Sequence, residues 1–328
     1  MPLQEKSLIR QIRIRARASS HRLSGSGTNG ERAAVLRGVG DDAALIGIPP
    51  ADQVLVTTDF SLENIHFRRQ WHPPESVGHR CLARGLSDIA AMGGIPVAAF
   101  LSLALPRGIS QVWVNGFIRG LLALGGRFKT VLAGGDTAES PSGVLADIVV
   151  LGSVPKGTAV LRSGAQAGHA IYVSGELGGS ALALKQLKSG RKLKPTRYPA
   201  HFFPVPRVPL GQALRDRKMA SSMIDISDGL STDLDHICEE SRVGARIYAE
   251  RIPIAKGADL ALALHGGEDY ELLFTVPANR QVPDHIAGVQ ITRIGEITRG
   301  RRIILVKSGH ESVLPVSGWE HFRARQET

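Results

Sequence analysis

Short apolar runs alternate along the chain with longer stretches in which apolar residues return every three or four positions, from about residue 53 to residue 306. The first pattern predicts strands and the second amphipathic helices. Gln53 to Thr58 predicts a strand that stops at Asp59, and Arg80 to Met92 a helix with Leu82, Leu86 and Ile89 on one face. Gly93-Gly94 supplies that helix's stop. Pro96 to Leu105 predicts a strand bounded by prolines, Val112 to Leu124 a helix, and Thr130 to Ala133 and Leu145 to Val154 two further strands. A break follows at Pro155-Lys156-Gly157. A second alternation then places strands at Ile171 to Ser174, Met223 to Ile226, Glu271 to Val276 and Ile303 to Val306. Leu193 to Pro209 carries five prolines and reads as a surface connection. The pattern predicts two α/β domains, 1–157 and 158–328.

The length of 328 residues agrees with two domains. With 43% hydrophobic and 21% charged residues, a sizeable core is expected, and low-complexity, collagen-like and coiled-coil chains are excluded. The 37 glycines against 5% aromatics indicate many places where backbone approaches something closely. Two cysteines, Cys81 and Cys238, make no disulfide framework and point to a reducing compartment, the cytoplasm. No apolar run reaches the roughly 18 residues of a membrane helix, so no membrane partner is expected. The formal charge is +10, and the first 25 residues contribute six bases, Lys6, Arg10, Arg13, Arg15, Arg17 and Arg22, against the single acid Glu5. An Arg-rich start is compatible with a transit peptide or a nucleic-acid arm. A short helix with Leu8, Ile9, Ile12 and Ala16 on one face is favoured, because no aromatic or basic platform for nucleic acid follows it.

The candidate chemistry lies in the aspartates. Val39-Gly40-Asp41-Asp42 follows a short strand and Thr57-Thr58-Asp59 ends one; Gly134-Gly135-Asp136-Thr137 ends another, and Asp225-Ile226-Ser227-Asp228-Gly229 turns a strand into a helix. Acids at strand ends, beside glycines, are what a cation site on a sheet rim requires. Asp88 is separately informative. It falls in the C-terminal part of a predicted helix, where the macrodipole disfavours an anion, among residues that look buried. A metal or Arg84 should face it, and the two readings are level. Asp228 also reads as a helix cap, and Asp233, Asp235 and Glu239 as the solvated face of their helix. His79 and His236 read as surface or packing residues. There is no G-x-x-x-x-G-K-[ST], HExxH, CxxC or G-x-S-x-G, which removes P-loop, zinc-protease, thiol-redox and α/β-hydrolase chemistry. Gly38 to Ala43 fits a loose dinucleotide pattern, but Asp41 and Asp42 would repel a pyrophosphate there.

Six segments together resemble the thiamine-monophosphate kinase family. They are Gly38-Val39-Gly40-Asp41-Asp42-Ala43-Ala44, Thr57-Thr58-Asp59 to Ile65-His66-Phe67, Leu86-Ser87-Asp88-Ile89-Ala90-Ala91-Met92-Gly93, Gly134-Gly135-Asp136-Thr137, Ile224-Asp225-Ile226-Ser227-Asp228-Gly229-Leu230, and Gly266-Gly267-Glu268-Asp269-Tyr270-Glu271-Leu272. The resemblance implies an α/β (α+β), two-domain aminoimidazole ribonucleotide synthetase-like fold. Its N-terminal mixed sheet pairs across a homodimer, and a C-terminal α/β domain completes a cleft for nucleotide and substrate. The implied activity is Mg2+-dependent transfer of the γ-phosphoryl group of ATP to thiamine monophosphate, the last step in making thiamine diphosphate. The implied Mg2+ ligands are Asp42, Thr57, Thr58, Asp59, Asp88, Asp136, Asp225 and Asp228. Gly135, Asp136, Arg162 and Ser227 would contact ATP, with Asp59, Asp136 and Arg162 as the catalytic group. His66, Glu268 and Trp319 would hold thiamine monophosphate, the last by stacking. The alternatives are an ATP-dependent ligase or cyclase of the aminoimidazole ribonucleotide synthetase type, or a nucleotide-binding protein without activity.

Overall fold

The computed structural model describes residues 11, 12, 14–16, 32–39 and 43–319. Asp42 and the N-terminal residues Leu8 and Ile9 lie outside them. The chain forms two compact units: Met1–Ala159 with Phe202–Val208, and Val160–His201 with Pro209–Thr328. Among the described residues, no helix is long and apolar enough to cross a membrane.

The first unit begins with a hairpin of β1 (Ala34–Arg37) and β2 (Leu45–Gly47). A four-stranded mixed sheet follows, built from β3 (Asp52–Leu62), β4 (Ile95–Pro106), β5 (Val131–Ser140) and β6 (Leu145–Pro155) in the order β3-β6-β4-β5. Only β4 and β5 run parallel. Helices α1 (Pro74–Ala91) and α2 (Gln111–Arg127) bury Cys81, Leu82, Leu86, Ile89, Phe117 and Leu121. Pro74 occupies the first turn of α1, where its missing N–H costs nothing, and the Ser110 hydroxyl caps α2 by accepting the N–H of Trp113 at 3.2 Å. The two helices cross in contact at glycines: a Cβ on Gly78 would stand 1.9 Å from the carbonyl oxygen of Phe117, and one on Gly120 1.9 Å from that of Glu75. On the sheet's other face, Val35 and Ile46 of the hairpin pack on Val97 and Ala133. Beyond it the large side chains Val54, Val56, Phe60 and Ile95 remain exposed.

Two expectations are corrected here. Asp59 and Asp136 do not end their strands: β3 continues to Leu62 and β5 to Ser140. Pairing holds the chain extended past both acids, since Asp59 lies opposite Ile148, and Asp136 opposite Ser102. The proline-rich stretch 193–209 is also not a mere surface connection. It holds the short helix α4 (Pro199–Phe202), and His201 and Phe202 are fully buried. In the first unit, Phe202 meets the His72 ring, its carbonyl accepts the Ser76 hydroxyl at 2.8 Å, and His79 bonds the carbonyl of Pro204 at 2.7 Å.

The second unit carries an eight-stranded sheet. Its members are β7 (Ala170–Ser174), β8 (Ser222–Asp225), β9 (Gly244–Tyr248), β10 (Leu272–Val276), β11 (His285–Ile286), β12 (Val289–Thr298), β13 (Ile303–Lys307) and β14 (His310–Val313). The order is β14-β13-β9-β12-β7-β10-β8, with β11 paired to β12, and only β9 and β13 are parallel. The unit's helices are α3 (Gly179–Lys188), α5 (Val208–Asp216), α6 (Leu230–Ser241) and α7 (Leu260–His265). Ile171, Val173, Ile224, Leu234, Ile237, Ile247, Leu273 and Ile294 fill its core. β8 and β10 are buried along their whole length, Ser222, Asp225 and Thr275 included.

Candidate active site

In the first unit, side chains alternate between the two faces of β3. Thr57 and Asp59 point to the helix-covered face, and Thr58 and Phe60 to the other. The Thr57 hydroxyl donates to the carboxylate of Asp88 on α1, so a hydroxyl from the neighbouring strand meets the acid in the last turn of its helix. The Thr58 hydroxyl donates to Asp147 of β6 at 2.7 Å. Burial holds the Asp59 carboxyl up at about 7, helped by the charge of Asp88 and, more weakly, of Asp147, against the opposing pull of the Arg84 guanidinium. Thr57, Asp59 and Asp88 thus gather oxygen donors on the helix-covered face of β3, where one carboxyl is kept from ionising freely, and Thr58 and Asp147 pair on the opposite face. Asp147 escaped the sequence reading because it is a lone acid in an apolar strand run, with no glycine beside it.

Asp136 and Gly135 lie on β5, three strands from Asp59 and about 14 Å away measured along the sheet. Gly135 has φ +145°, and a Cβ there would meet the carbonyl oxygen of Leu101 at 1.9 Å, so only glycine fits. Asp136 is exposed and accepts the N–H of Thr137 at 2.8 Å. Beside them is a pocket walled by Ile12, Val39, Leu101, Leu103 and Leu132 and floored by Gly134 to Thr137. The Thr137 hydroxyl is buried without a hydrogen-bond partner. His66 follows β3, and its Nδ1 accepts the N–H of Leu62 at 3.0 Å. A lone pair is therefore on Nδ1, and the neutral ring carries its proton on Nε2.

In the second unit, the backbone draws three separated segments together. Asp225 ends β8 and is buried. The turn after it bonds to the Gly266–Leu272 segment: Ile226 N–H to Glu271 carbonyl at 2.7 Å, Tyr270 N–H to Ile226 carbonyl at 2.9 Å, and Glu268 N–H to Ser227 carbonyl at 2.7 Å. The N–H of Trp319 donates to the carbonyl of Asp228 at 2.9 Å, and that of Gly318 to the Thr232 hydroxyl at 3.1 Å. Ser227, Asp228, Glu268 and Trp319 are thereby brought together. Within the Gly266–Leu272 segment the acids have different tasks. Asp269 is buried and accepts the N–H groups of Gly178 at 2.7 Å and Ser180 at 3.4 Å, where α3 begins. Burial raises its carboxyl to about 7 against those bonds. Glu271 accepts the Ser174 hydroxyl at 2.5 Å. Glu268 alone of the three is half-exposed, turned out by a backbone at φ +66°.

The backbone of Arg162 lies apart from this grouping. Its carbonyl accepts the Ser241 hydroxyl at the C-terminal end of α6, a helix of 12 residues and so about 18 Å long, whose other end carries Asp228. Asp233 corrects the expectation of a solvated face, for it is 1% exposed. Its Oδ2 accepts the N–H groups of Ser227, Asp228 and Gly229 at 3.1, 3.2 and 3.0 Å. Burial, then the charges of Asp225 and Asp228, push its carboxyl well above the usual range. Ligating atoms of Asp228, Asp233 and His236 lie within 4.8 Å of one another. The four-residue spacing from Gly229 to Asp233 was the available signal, since it points a side chain back over the turn.

Comparison with known proteins gives the family of the chain. Residues 40–154 match the model of the AIR synthase related protein N-terminal domain, and residues 166–308 that of the C-terminal domain. The chain is 37% identical over 304 residues to thiamine-monophosphate kinase of Escherichia coli (strain K12), covering 87% of this chain and 91% of that one. The crystal structure of thiamine-monophosphate kinase from Stenotrophomonas maltophilia K279a superposes with a TM-score of 0.78 at 34% identity, covering 95% of this chain and 99% of the other. AaThiL complexed with AMPPCP and TMP gives a TM-score of 0.75 at 31% identity, over 83% of this chain and 88% of that one. With such identity over nine-tenths of its relatives' length, the chain belongs to the thiamine-monophosphate kinase family.

Proposed function

We propose that this protein transfers the γ-phosphoryl group of ATP to thiamine monophosphate in one step, giving thiamine diphosphate and ADP. The reading rests above all on the group of Thr57, Asp59 and Asp88 on the helix-covered face of β3, with the Thr58–Asp147 pair on the strand's other face. Every donor among these residues is a hard oxygen, the kind Mg2+ takes, and the Asp59 carboxyl, raised first by burial and then by the charge of Asp88, is one that a bound cation would help to ionise. Mg2+ held there supplies the positive charge that lets two anionic phosphates approach. Several Mg2+ ions are needed in this reading: Asp42, Thr57, Thr58, Asp59, Asp88 and Asp136 are the ligands contributed by the first unit, and Asp225 and Asp228 those contributed by the second. Gly135, Asp136, Arg162 and Ser227 contact ATP, with Arg162 adding a fixed cation. The apolar pocket beside Gly135 and Asp136 suits a nucleotide base.

His66 presents an Nε2–H donor to the substrate phosphate, Glu268 faces the cationic part of thiamine monophosphate, and Trp319 stacks on its ring. The acceptor is a phosphate monoester whose second pKa is about 6, already an anion near neutrality, so no general base is required. The protein's work is to position and neutralise charge. Two copies form the working enzyme: Val54, Val56 and Phe60 leave an apolar stripe on the edge strand β3, of a kind that marks an interface. Cys81 and Cys238 are free and buried, which suits the cytoplasm.

The test is to mix purified protein with Mg·ATP and thiamine monophosphate and follow products by chromatography, with unphosphorylated thiamine as control. Equimolar thiamine diphosphate and ADP, formed only with the monophosphate, is the expected result. ADP release with formylglycinamidine ribonucleotide instead would make the protein a ligase of the aminoimidazole ribonucleotide synthetase type. ATP binding without turnover would leave a nucleotide-binding protein.

A further inference from the structure

Asp233 has a task in the fold that neither the helical pattern nor the family motifs give it. It stands one turn inside α6, yet its Oδ2 gathers the N–H groups of three consecutive residues, Ser227, Asp228 and Gly229. Three converging backbone N–H groups form a concavity suited to an anion, and the chain fills it with its own carboxylate. The carbonyls of the same turn are engaged too, that of Ser227 by the N–H of Glu268 and that of Asp228 by the N–H of Trp319. With both edges of its backbone held, the turn meets a ligand through the side chains of Ser227 and Asp228, which are half-buried. Gly229 turns the chain into α6 at φ +117°, and no side chain caps the helix in the usual way. The clamp at Asp233 stands in place of that cap.

We propose that Asp233 is a positioning residue for phosphoryl transfer: it fixes Ser227 and Asp228 and, through the two engaged carbonyls, holds the Glu268 and Trp319 segments in register with them. The inference rests on the phosphotransferase reading of this site. A misplacement of about 1 Å at a reacting centre costs about a hundredfold in rate, so a loosened turn should be visible in turnover.

Asp233→Asn keeps one acceptor oxygen for the three N–H groups and Asp233→Ala keeps none. The measurements are amide hydrogen exchange across residues 226–230, kcat and KM for both substrates, and calorimetric affinity for AMPPCP with Mg2+. The Asn variant is expected to retain slow exchange and a kcat within about tenfold of the parent; the Ala variant should exchange rapidly, bind AMPPCP more weakly and lose about a hundredfold in kcat. Any folded variant in which exchange and kcat part company overturns the proposal. Fast exchange with normal kcat would make the clamp irrelevant, and lost kcat with slow exchange would make the charge itself the active feature. Should the Ala variant fail to fold, the Asn variant decides by the same criterion. If the parent protein does not phosphorylate thiamine monophosphate, the functional reading fails, while exchange and AMPPCP binding still test the clamp.

Discussion

Asp59→Asn should stabilise the metal-free protein and nearly abolish its activity. In the folded protein the Asp59 carboxyl ionises near pH 7 rather than at 3.8, because it is buried beside Asp88 and Asp147. Between those two pH values the folded chain holds a proton that the unfolded chain releases. Stability from this group therefore falls as pH rises through the window and is lowest above 7. At about 1.4 kcal/mol per tenfold change in proton affinity, the full effect is about 4 kcal/mol. Asparagine removes the charge at nearly constant volume but leaves Asp88 and Asp147 beside Arg84, so recovery of about half, 2 kcal/mol, is expected. For units of this size that is about 4–8 °C in Tm. The assay is thermal unfolding in EDTA at about pH 8 and again at about pH 5, low in the window, where the advantage should shrink to less than half of its value at pH 8. Added Mg2+ should stabilise the parent more at pH 8 than at pH 5, and the variant less than the parent at either. Its kcat should fall about 10²–10³-fold, as when one group stabilising transition-state charge is lost. A variant less stable than the parent at pH 8 without metal, or equally stabilised at both pH values, would refute the reasoning.

Other predictions follow from the same geometry. Gly78→Ala places a methyl 1.9 Å from the Phe117 carbonyl oxygen; it should force α1 from α2 and cost about 1–3 kcal/mol, read as a lower Tm, and an unchanged Tm would contradict the close crossing. Trp319→Ala should raise the KM for thiamine monophosphate about 5–150-fold, the equivalent of 1–3 kcal/mol of stacking, with little change in kcat; an unchanged KM removes Trp319 from the site. Val56→Asp puts a charge on the exposed stripe of β3 and should give a monomer by sedimentation velocity, whereas a persisting dimer would place the interface elsewhere.

Much of this was legible in the sequence because period and punctuation agree. The 3.6-residue repeat of Leu82, Leu86 and Ile89 and the apolar runs of β3 and β6 mark a helix and two strands that the structure contains, although α1 starts at Pro74, six residues before Arg80, and β5 runs to Ser140. What escaped was long-range. Asp233 looks like any polar position on an exposed helix face until the turn before it folds back onto its carboxylate. Asp147 looks like a break in an apolar run until β6 pairs with β3 and brings it under Thr58. Asp88 stands out in the sequence as an acid in need of a partner, but the Thr57 hydroxyl reaches it from a strand 31 residues away, a contact that no local pattern encodes. Phe202 is buried against His72 and Ser76 despite the prolines around it, because that segment packs with the first unit. Propensity describes a segment, and these contacts belong to pairs of segments.

The central claim is that the acidic cluster brings two anions together and that no protein side chain is phosphorylated on the way. The most direct measurement is the stereochemical course of the reaction with ATP made chiral by oxygen isotopes at the γ-phosphorus. A single in-line transfer inverts that centre, and inversion in the thiamine diphosphate formed is the result predicted. Net retention would require two displacements and a phosphorylated residue, and would contradict the account.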